Sequence, residues 1–437
     1  MSLKEKLLKI SEFLYLLLIF LIPVNLGKHF EIVDSYVGGV LVDYLVPTIF
    51  VQDILAALII FFWVLGGGLR NLFDEKSDFF DRKYVQYSSL FIFSLLLSTL
   101  SSIRFVPSIC AWVRVLLYFL IFIYSLTEIP IEDYFFKILD IFSVSVLFLG
   151  ILGIAQFLTK GSVFDNYLVF GEQPYSAATY GVPAESFFGK RVVPAYGLFR
   201  HPNIFGGYLS ITLVWLFSFL KSRKFYLLPF LLGAVALLFT FSKISWAVFL
   251  FGIILHLIFS KEPRKIEIKK KQAVSVACIV IVISLLIPLL FFSGSGGSST
   301  KNVLLYKRVP ADKSISRRLN LAVASYRMAM DNFLFGVGFN NSTVLIDKYN
   351  YESTDLRFSQ PVHNIFLLLF SEGGIFSLIL FCCFIWQCLK KLVNSGYFHV
   401  YLIAFLQIIL LGCFDHYFIT IHQTLLLFWI TLGLGLQ

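Results

Sequence analysis

Residues 135–159 read FFKILDIFSVSVLFLGILGIAQFLT, and the only charges in the run, Lys137 and Asp140, sit near its start. A helix crosses the hydrocarbon core of a bilayer with about 20 consecutive apolar residues. A barrel strand would instead read as a short segment of alternating hydrophobicity. The stretch therefore predicts a transmembrane helix, and the chain repeats the pattern on both sides of it. Further runs fall at 11–26, 46–67, 86–103, 108–127, 204–220, 224–241, 243–260, 273–293, 363–387, 398–414 and 417–435. The expectation is an all-α polytopic integral membrane protein of about 12 transmembrane helices, with 1–437 as a single membrane domain.

Composition agrees. Of 437 residues, 58% are hydrophobic and 14% charged, against roughly 45–50% and about 25% in soluble domains. Disordered, collagenous, coiled-coil and ordinary cytosolic classes are excluded. The formal charge of +10 needs no nucleic acid, because basic loops beside anionic lipid account for it. The six cysteines lie in or at the ends of spans, which fits neither a disulfide framework nor a zinc site.

Lysine and arginine in short loops set the orientation. Lys4, Lys6 and Lys9 precede the first span; Arg70, Lys76, Arg82 and Lys83 follow the second; Lys221, Arg223 and Lys224 follow the sixth. The run from Lys261 to Lys271 follows the eighth, and Lys390 with Lys391 the tenth. With twelve spans all of these share one side, so both termini are expected in the cytoplasm. The basic start is read as an uncleaved span, since the apolar run leads into Pro23, Asn25 and Lys28 rather than a small-residue cleavage site.

Two loops are longer than connectors need to be, at 160–203 and 294–362, and both fall on the extracytoplasmic side. The second opens on a Ser/Gly-rich stretch. Within it, 316–333 spaces Leu319, Leu321, Ala322, Ala324, Met328 and Met330 helically, with Arg317, Arg318 and Arg327 opposite. An amphipathic helix near the membrane–water interface is expected there.

Three clusters in these loops carry chemistry. Arg191 to Asn203 brings two arginines and His201 to the start of a helix opened by Pro202. Free N–H groups and a partial positive charge at such a start favour phosphate, and a guanidinium adds a forked donor. The plainer alternative is a capped helix beside a snorkelling arginine. Arg317 and Arg318, adjacent at a helix start, could clamp a diphosphate or anchor the interface. His363 and Asn364 open the tenth span, with Glu372 further along. A histidine there is poised for proton transfer near neutral pH, and a membrane-embedded glutamate must face the bundle interior.

Arg114 needs a cavity or a carboxylate, Asp140 being one possible partner. Asp415 and His416, in the turn after the eleventh span, either bound the same cavity or cap a helix, capping being preferred. There is no Gly-rich nucleotide loop, HExxH, GxSxG or Asp-x-Asp pair, so neither a metal nor another cofactor is expected, and a cytoplasmic nucleotide-sugar donor is disfavoured.

Taken in order, "YGLFRHPNIFGGYL", "SRRLNLAVASYRMAMDNFLFGVGFNN" and "QPVHNIFLLLFSEGGIFSL" resemble the O-antigen ligase and polymerase family of bacterial membrane glycosyltransferases. The likeness spans mainly 185–385. It implies a glycosyltransferase-C-like fold and a metal-independent, inverting enzyme at the outer face of the inner or plasma membrane. The implied donor is a glycan on undecaprenyl pyrophosphate, and the implied acceptor a hydroxyl of a lipid or glycan. Carried over by position, the likeness implies catalytic roles for His363, Arg318 and Arg191. Arg200, His201, Asn203, Arg317, Asn364 and Glu372 stand as expected substrate contacts. Ligase and repeat-unit polymerase share these motifs. A lipid-linked-oligosaccharide flippase is the competing class, but a transporter needs polar groups reachable from both sides near the midplane, and this cationic cluster is one-sided.

Overall fold

A computed structural model of the chain describes residues 2–73, 79–261, 313–350, 360–394 and 399–437, apart from a few positions in 180–188, with scattered positions in 272–282. Most of the ninth expected span, the Ser/Gly-rich opening of the second loop and most of the basic 261–271 run lie outside the described residues.

The described chain is mainly helical. In order, α1 is Leu3–Phe20, α2 Val51–Leu65, α3 Gly68–Leu72, α4 Lys83–Leu100, α5 Phe105–Glu128, α6 Ile131–Thr159, α7 Pro202–Ser218, α8 Leu227–Phe239 and α9 Lys243–Lys261. After the undescribed part come α10 (Lys313–Asp331), α11 (Ser342–Tyr349), α12 (Ile365–Asn394), α13 (His399–Phe414), α14 (Tyr417–Thr420) and α15 (His422–Gly435). Among the described residues four helices are long and apolar enough to cross a membrane: Phe105–Glu128, Ile131–Thr159, Lys243–Ser260 and Ile365–Asn394. Val51–Leu65, Lys224–Phe239 and His399–Phe414 are apolar but shorter. The apolar run 135–159 thus lies inside α6. The last expected span divides at Ile421 into α14 and α15.

Local chemistry sets the ends. Ser2 and Glu5 form a reciprocal capping box at the start of α1 (Glu5 N to Ser2 Oγ 3.2 Å; Ser2 N to Glu5 Oε2 2.9 Å). Pro130 separates α5 from α6, and α6 ends on Lys160 in the left-handed region. Helices α4 and α12, α1 and α2, α6 and α8, and α5 and α15 pack as pairs. Helices α7, α13 and α15 are buried along nearly their whole length. A helix apolar all round belongs at the centre of a bundle.

Two features depart from the sequence reading. Residues 27–50 form a small β-structure, with β1 (Gly27–His29) antiparallel to β4 (Thr48–Phe50) and β2 (Tyr36–Val37) paired with β3 (Val40–Leu41). Gly38 and Gly39, both at positive φ, make the tight β2–β3 turn. Arg114 pairs with Asp53, not Asp140: its Nε lies 3.1 Å from Asp53 Oδ1, its NH2 3.0 Å from Oδ2, and it also donates to the Thr48 carbonyl. Asp140 accepts from Tyr226 Oη at 2.6 Å and faces Arg223 instead. Asp53 wins because α2 packs on α5, whereas Asp140 lies towards the α7–α8 connection.

Helix α12 is broken at Gly374 (φ 72°, ψ −175°). Carbonyls freed by a break inside an apolar helix need donors. The loop between α10 and α11 supplies them: Val337 N–H donates to Ser371 O (2.9 Å) and Gly338 N–H to Glu372 O (3.1 Å), while Ile375 N–H reaches Phe333 O (2.8 Å). The approach is close enough that a Cβ on Gly374 would sit 2.2 Å from Leu334 O.

Candidate active site

The site forms where the α13–α14 turn meets the start of α12. Asn364 caps α12, its Oδ1 accepting Leu367 N–H (2.9 Å), and its Nδ2 donates to Cys413 O (3.1 Å). One side chain thus ties the beginning of α12 to the end of α13 and fixes its neighbour, His363. Asn364, expected as a substrate contact, is thus seen here as the cap of α12.

His363 Nδ1 lies 3.2 Å from Asp415 Oδ1. The Asp415 side chain is 7% exposed and that of His363 18%, so the pair has a buried end and an accessible end. Asp415 Oδ1 also accepts the His416 backbone N–H at 2.8 Å. The His416 ring sits 5.2 Å from that of His363, its Nε2 is 3.9 Å from Asp415 Oδ1, and its Nδ1 is 2.7 Å from Thr420 Oγ1. Burial alone would raise the Asp415 carboxyl. His363, then His416 and Arg318, overcome that and hold it below the ordinary carboxylate range. Burial pushes His416 down to about 3 despite the opposing pull of Asp415, so this imidazole is neutral at physiological pH.

Arg318, half-buried on α10, acts electrostatically on Asp415, His416, His201 and Tyr417. His201 caps α7, its Nδ1 accepting Asn203 N–H (3.1 Å), and feels Asp415, His363 and Arg318. The structure therefore brings Arg318, His201, Asn203 and His363 to one place. Arg200 stands beside them, paired with Asp43 at 3.3 Å and acting on Tyr44, whose ring lies 5.5 Å from that of His416. Arg317, the neighbour of Arg318, is exposed. Arg191 lies in the strand Lys190–Val192, its backbone opposite Ser186, and its side chain is outside the described residues.

Glu372 is 3% exposed and its carboxylate is committed to the loop after α10: Oε2 accepts Asn340 N–H (2.9 Å), and Oε1 accepts Ser342 N–H (3.1 Å) and Ser342 Oγ (2.7 Å). Glu372, expected as a substrate contact, here clamps Gly338–Ser342. Of two further contributors, the sequence reading left the first open between cavity and cap and missed the second. Asp415 and His416 do not merely cap a helix but contact His363 directly. The 27–50 segment delivers Asp43 and Tyr44, although its Gly-Gly between alternating apolar residues is a hairpin signal.

Among the described residues, His363, Asp415 and His416 also form the set by donor type able to hold a metal, with one ligand atom from each within 4.8 Å of the others. Imidazole and carboxylate suit zinc. Against that fit, His416 Nδ1 is engaged by Thr420, His363 is bonded to the carboxylate, and a guanidinium adds like charge.

No curated protein matches the chain. A family model described as O-Antigen ligase matches residues 228–382, a stretch that holds Arg318, His363 and Glu372 and stops short of Asp415. The chain carries that family's pattern over 228–382, which supports its assignment to the O-antigen ligase/polymerase family.

Proposed function

We propose that the protein transfers a glycan from undecaprenyl pyrophosphate to an acceptor hydroxyl, with inversion and without a metal, at the outer face of the inner or plasma membrane. The family match supports a glycosyltransferase-like enzyme of surface-polysaccharide biosynthesis. The observation that carries the finer reading is the His363–Asp415 pair set beside Arg318.

The roles follow from charge. With Nδ1–H donated to ionised Asp415, Nε2 of His363 is the accepting nitrogen. It takes the proton of the acceptor hydroxyl, whose oxygen bonds to the anomeric carbon. The bond from that carbon to the pyrophosphate oxygen breaks, and its electron pair leaves with the lipid pyrophosphate. Asp415 stabilises the imidazolium so formed. Arg318, with Arg200 close by and Arg191 in the role the family likeness implies, stabilises the negative charge on the leaving group, where fixed cations in a water-poor site do more than solvent. Holding the hydroxyl in line removes a large part of the entropic barrier.

The test is a transfer assay with detergent-solubilised protein, undecaprenyl-pyrophosphate oligosaccharide and acceptor, with and without EDTA. Wild type forms product in EDTA, Arg318→Ala and His363→Ala form none, and Asp415→Asn is slowed by about 10²–10⁴-fold, the usual contribution of positioned acid–base catalysis. A ladder of products identifies a polymerase and a single step a ligase. Loss of product in EDTA overturns the metal-free reading. Movement of the lipid-linked glycan across liposomes, without transfer and indifferent to these substitutions, replaces the enzyme with a flippase.

A further inference from the structure

A second cleft opens next to the histidine cluster and is not lined by Arg318, Arg200 or His363. Its walls include Tyr44, Thr48, Cys110, Arg114, Asn340 and Thr420. Two of these touch the cluster: Thr420 Oγ1 bonds His416 Nδ1 at 2.7 Å, and Tyr44 meets the His416 ring edge-on. Asn340 holds the cleft's shape by donating to Tyr44 O at 2.9 Å, and Glu372, bonded to Asn340 N–H, closes its back.

The charge of this cleft differs from that of the cluster. Its cation, Arg114, is neutralised by two-pronged contact with Asp53 and stacks 5.0 Å from the Phe50 ring. A phosphate seeks a guanidinium whose charge is uncompensated, and Asp53 already offsets this one. What remains is hydroxyl, amide and carboxylate groups set between apolar side chains such as Phe339 and Ile419. That mixture suits an uncharged ring bearing many hydroxyls. We propose that the cleft binds the acceptor sugar and delivers its hydroxyl to His363 past His416. This assignment rests on the proposed transfer reaction and names a site for its second substrate.

Cys110 makes the proposal measurable, because its side chain is exposed and it lines the cleft. Full-length protein in detergent is treated with a small methanethiosulfonate, and the rate at Cys110 is read by mass spectrometry with Cys110→Ser as the blank. The probes are bare undecaprenyl pyrophosphate and the oligosaccharides released by mild acid from the producing strain's surface polysaccharide. The saccharides protect Cys110, slowing it about tenfold at about ten times their dissociation constant, and undecaprenyl pyrophosphate does not. Cys110→Trp, which fills the cleft, loses transfer yet keeps its melting shift with undecaprenyl pyrophosphate. Protection by undecaprenyl pyrophosphate alone, or by neither probe over a full titration, overturns the proposal; so does a Cys110→Trp protein that transfers normally. If wild type transfers nothing, the reaction reading falls by itself, while saccharide protection of Cys110 still decides whether the cleft holds sugar.

Discussion

His416 is neutral because it is buried, and that neutrality has a measurable cost in acid. Its folded pKa lies near 3, below the value of about 6.5 for an unfolded histidine. The unfolded chain therefore binds a proton that the folded chain refuses. Stability from this residue is complete above about pH 6.5 and is lost as pH falls towards 3, with a limiting slope of about 1.4 kcal/mol per unit. Asp415 acts in the same direction at lower pH, its depressed carboxyl supporting the fold until the acid is strong enough to protonate it. In thermal melts between pH 6.5 and 4.5, His416→Gln should lose less stability than wild type. Equal losses would remove His416 from the account. At this scale the sequence was informative where a residue type is rare in its setting. His363 and Arg318 stood out as ionisable groups at the mouth of an apolar bundle. Asp415 was ambiguous, because an aspartate beside a helix end has a capping role available, and its partner lies 52 positions away.

Helix α12 and the loop between α10 and α11 form one unit. Gly336, Gly338 and Gly374 all sit at positive φ, and a Cβ on Gly336 would lie 2.3 Å from Glu372 O. Glu372 then pins the far end of the same loop. Gly374→Ala meets both a strained backbone and a backbone oxygen, and strain of that kind costs of order 1–3 kcal/mol. The expected outcome is a lower melting temperature together with faster amide exchange confined to 333–342. Exchange that stays at the wild-type rate there, or rises evenly over the whole chain, would refute the clamp. The amphipathic helix expected at 316–333 is present as Lys313–Asp331 because its periodicity is local. The break was hidden because SEGG lies in an otherwise unbroken apolar run, and nothing local says which donors replace the lost helical bonds. The 27–50 hairpin was missed for a related reason: its strands are only two or three residues long and draw their order from α5 and the Asn340 turn.

For the molecule as a whole, hydropathy was the most legible signal. The helix boundaries differ from the expected spans mostly by a few residues, the first span being the larger exception: it starts at Leu3 rather than 11 and stops at Phe20. Such differences arise because caps, not apolarity, end a helix. The inference that both termini face the cytoplasm depends on the distribution of Lys and Arg and on an even number of spans. Reporter fusions that fluoresce only in the cytoplasm should light up at Met1 and at Gln437, and a dark C-terminal fusion would mean an odd number. Pairing arginine with carboxylate was beyond sequence reasoning, since Arg114 and Asp53 meet only once α2 lies against α5.

The broken helix also imposes an order on biogenesis. The loop that satisfies Ser371 and Glu372 is synthesised before them, so it must wait, undocked, until α12 has entered the bilayer. Between that entry and docking, α12 is a span with bare carbonyls and a bare carboxylate, a state that lipid penalises by several kcal/mol per group. The His363 end of the same helix comes to rest against the α13–α14 turn, which emerges later still. The candidate site is thus among the last parts of the protein to mature, and a chain truncated after α12 would lack both the turn and the Asp415 that completes it.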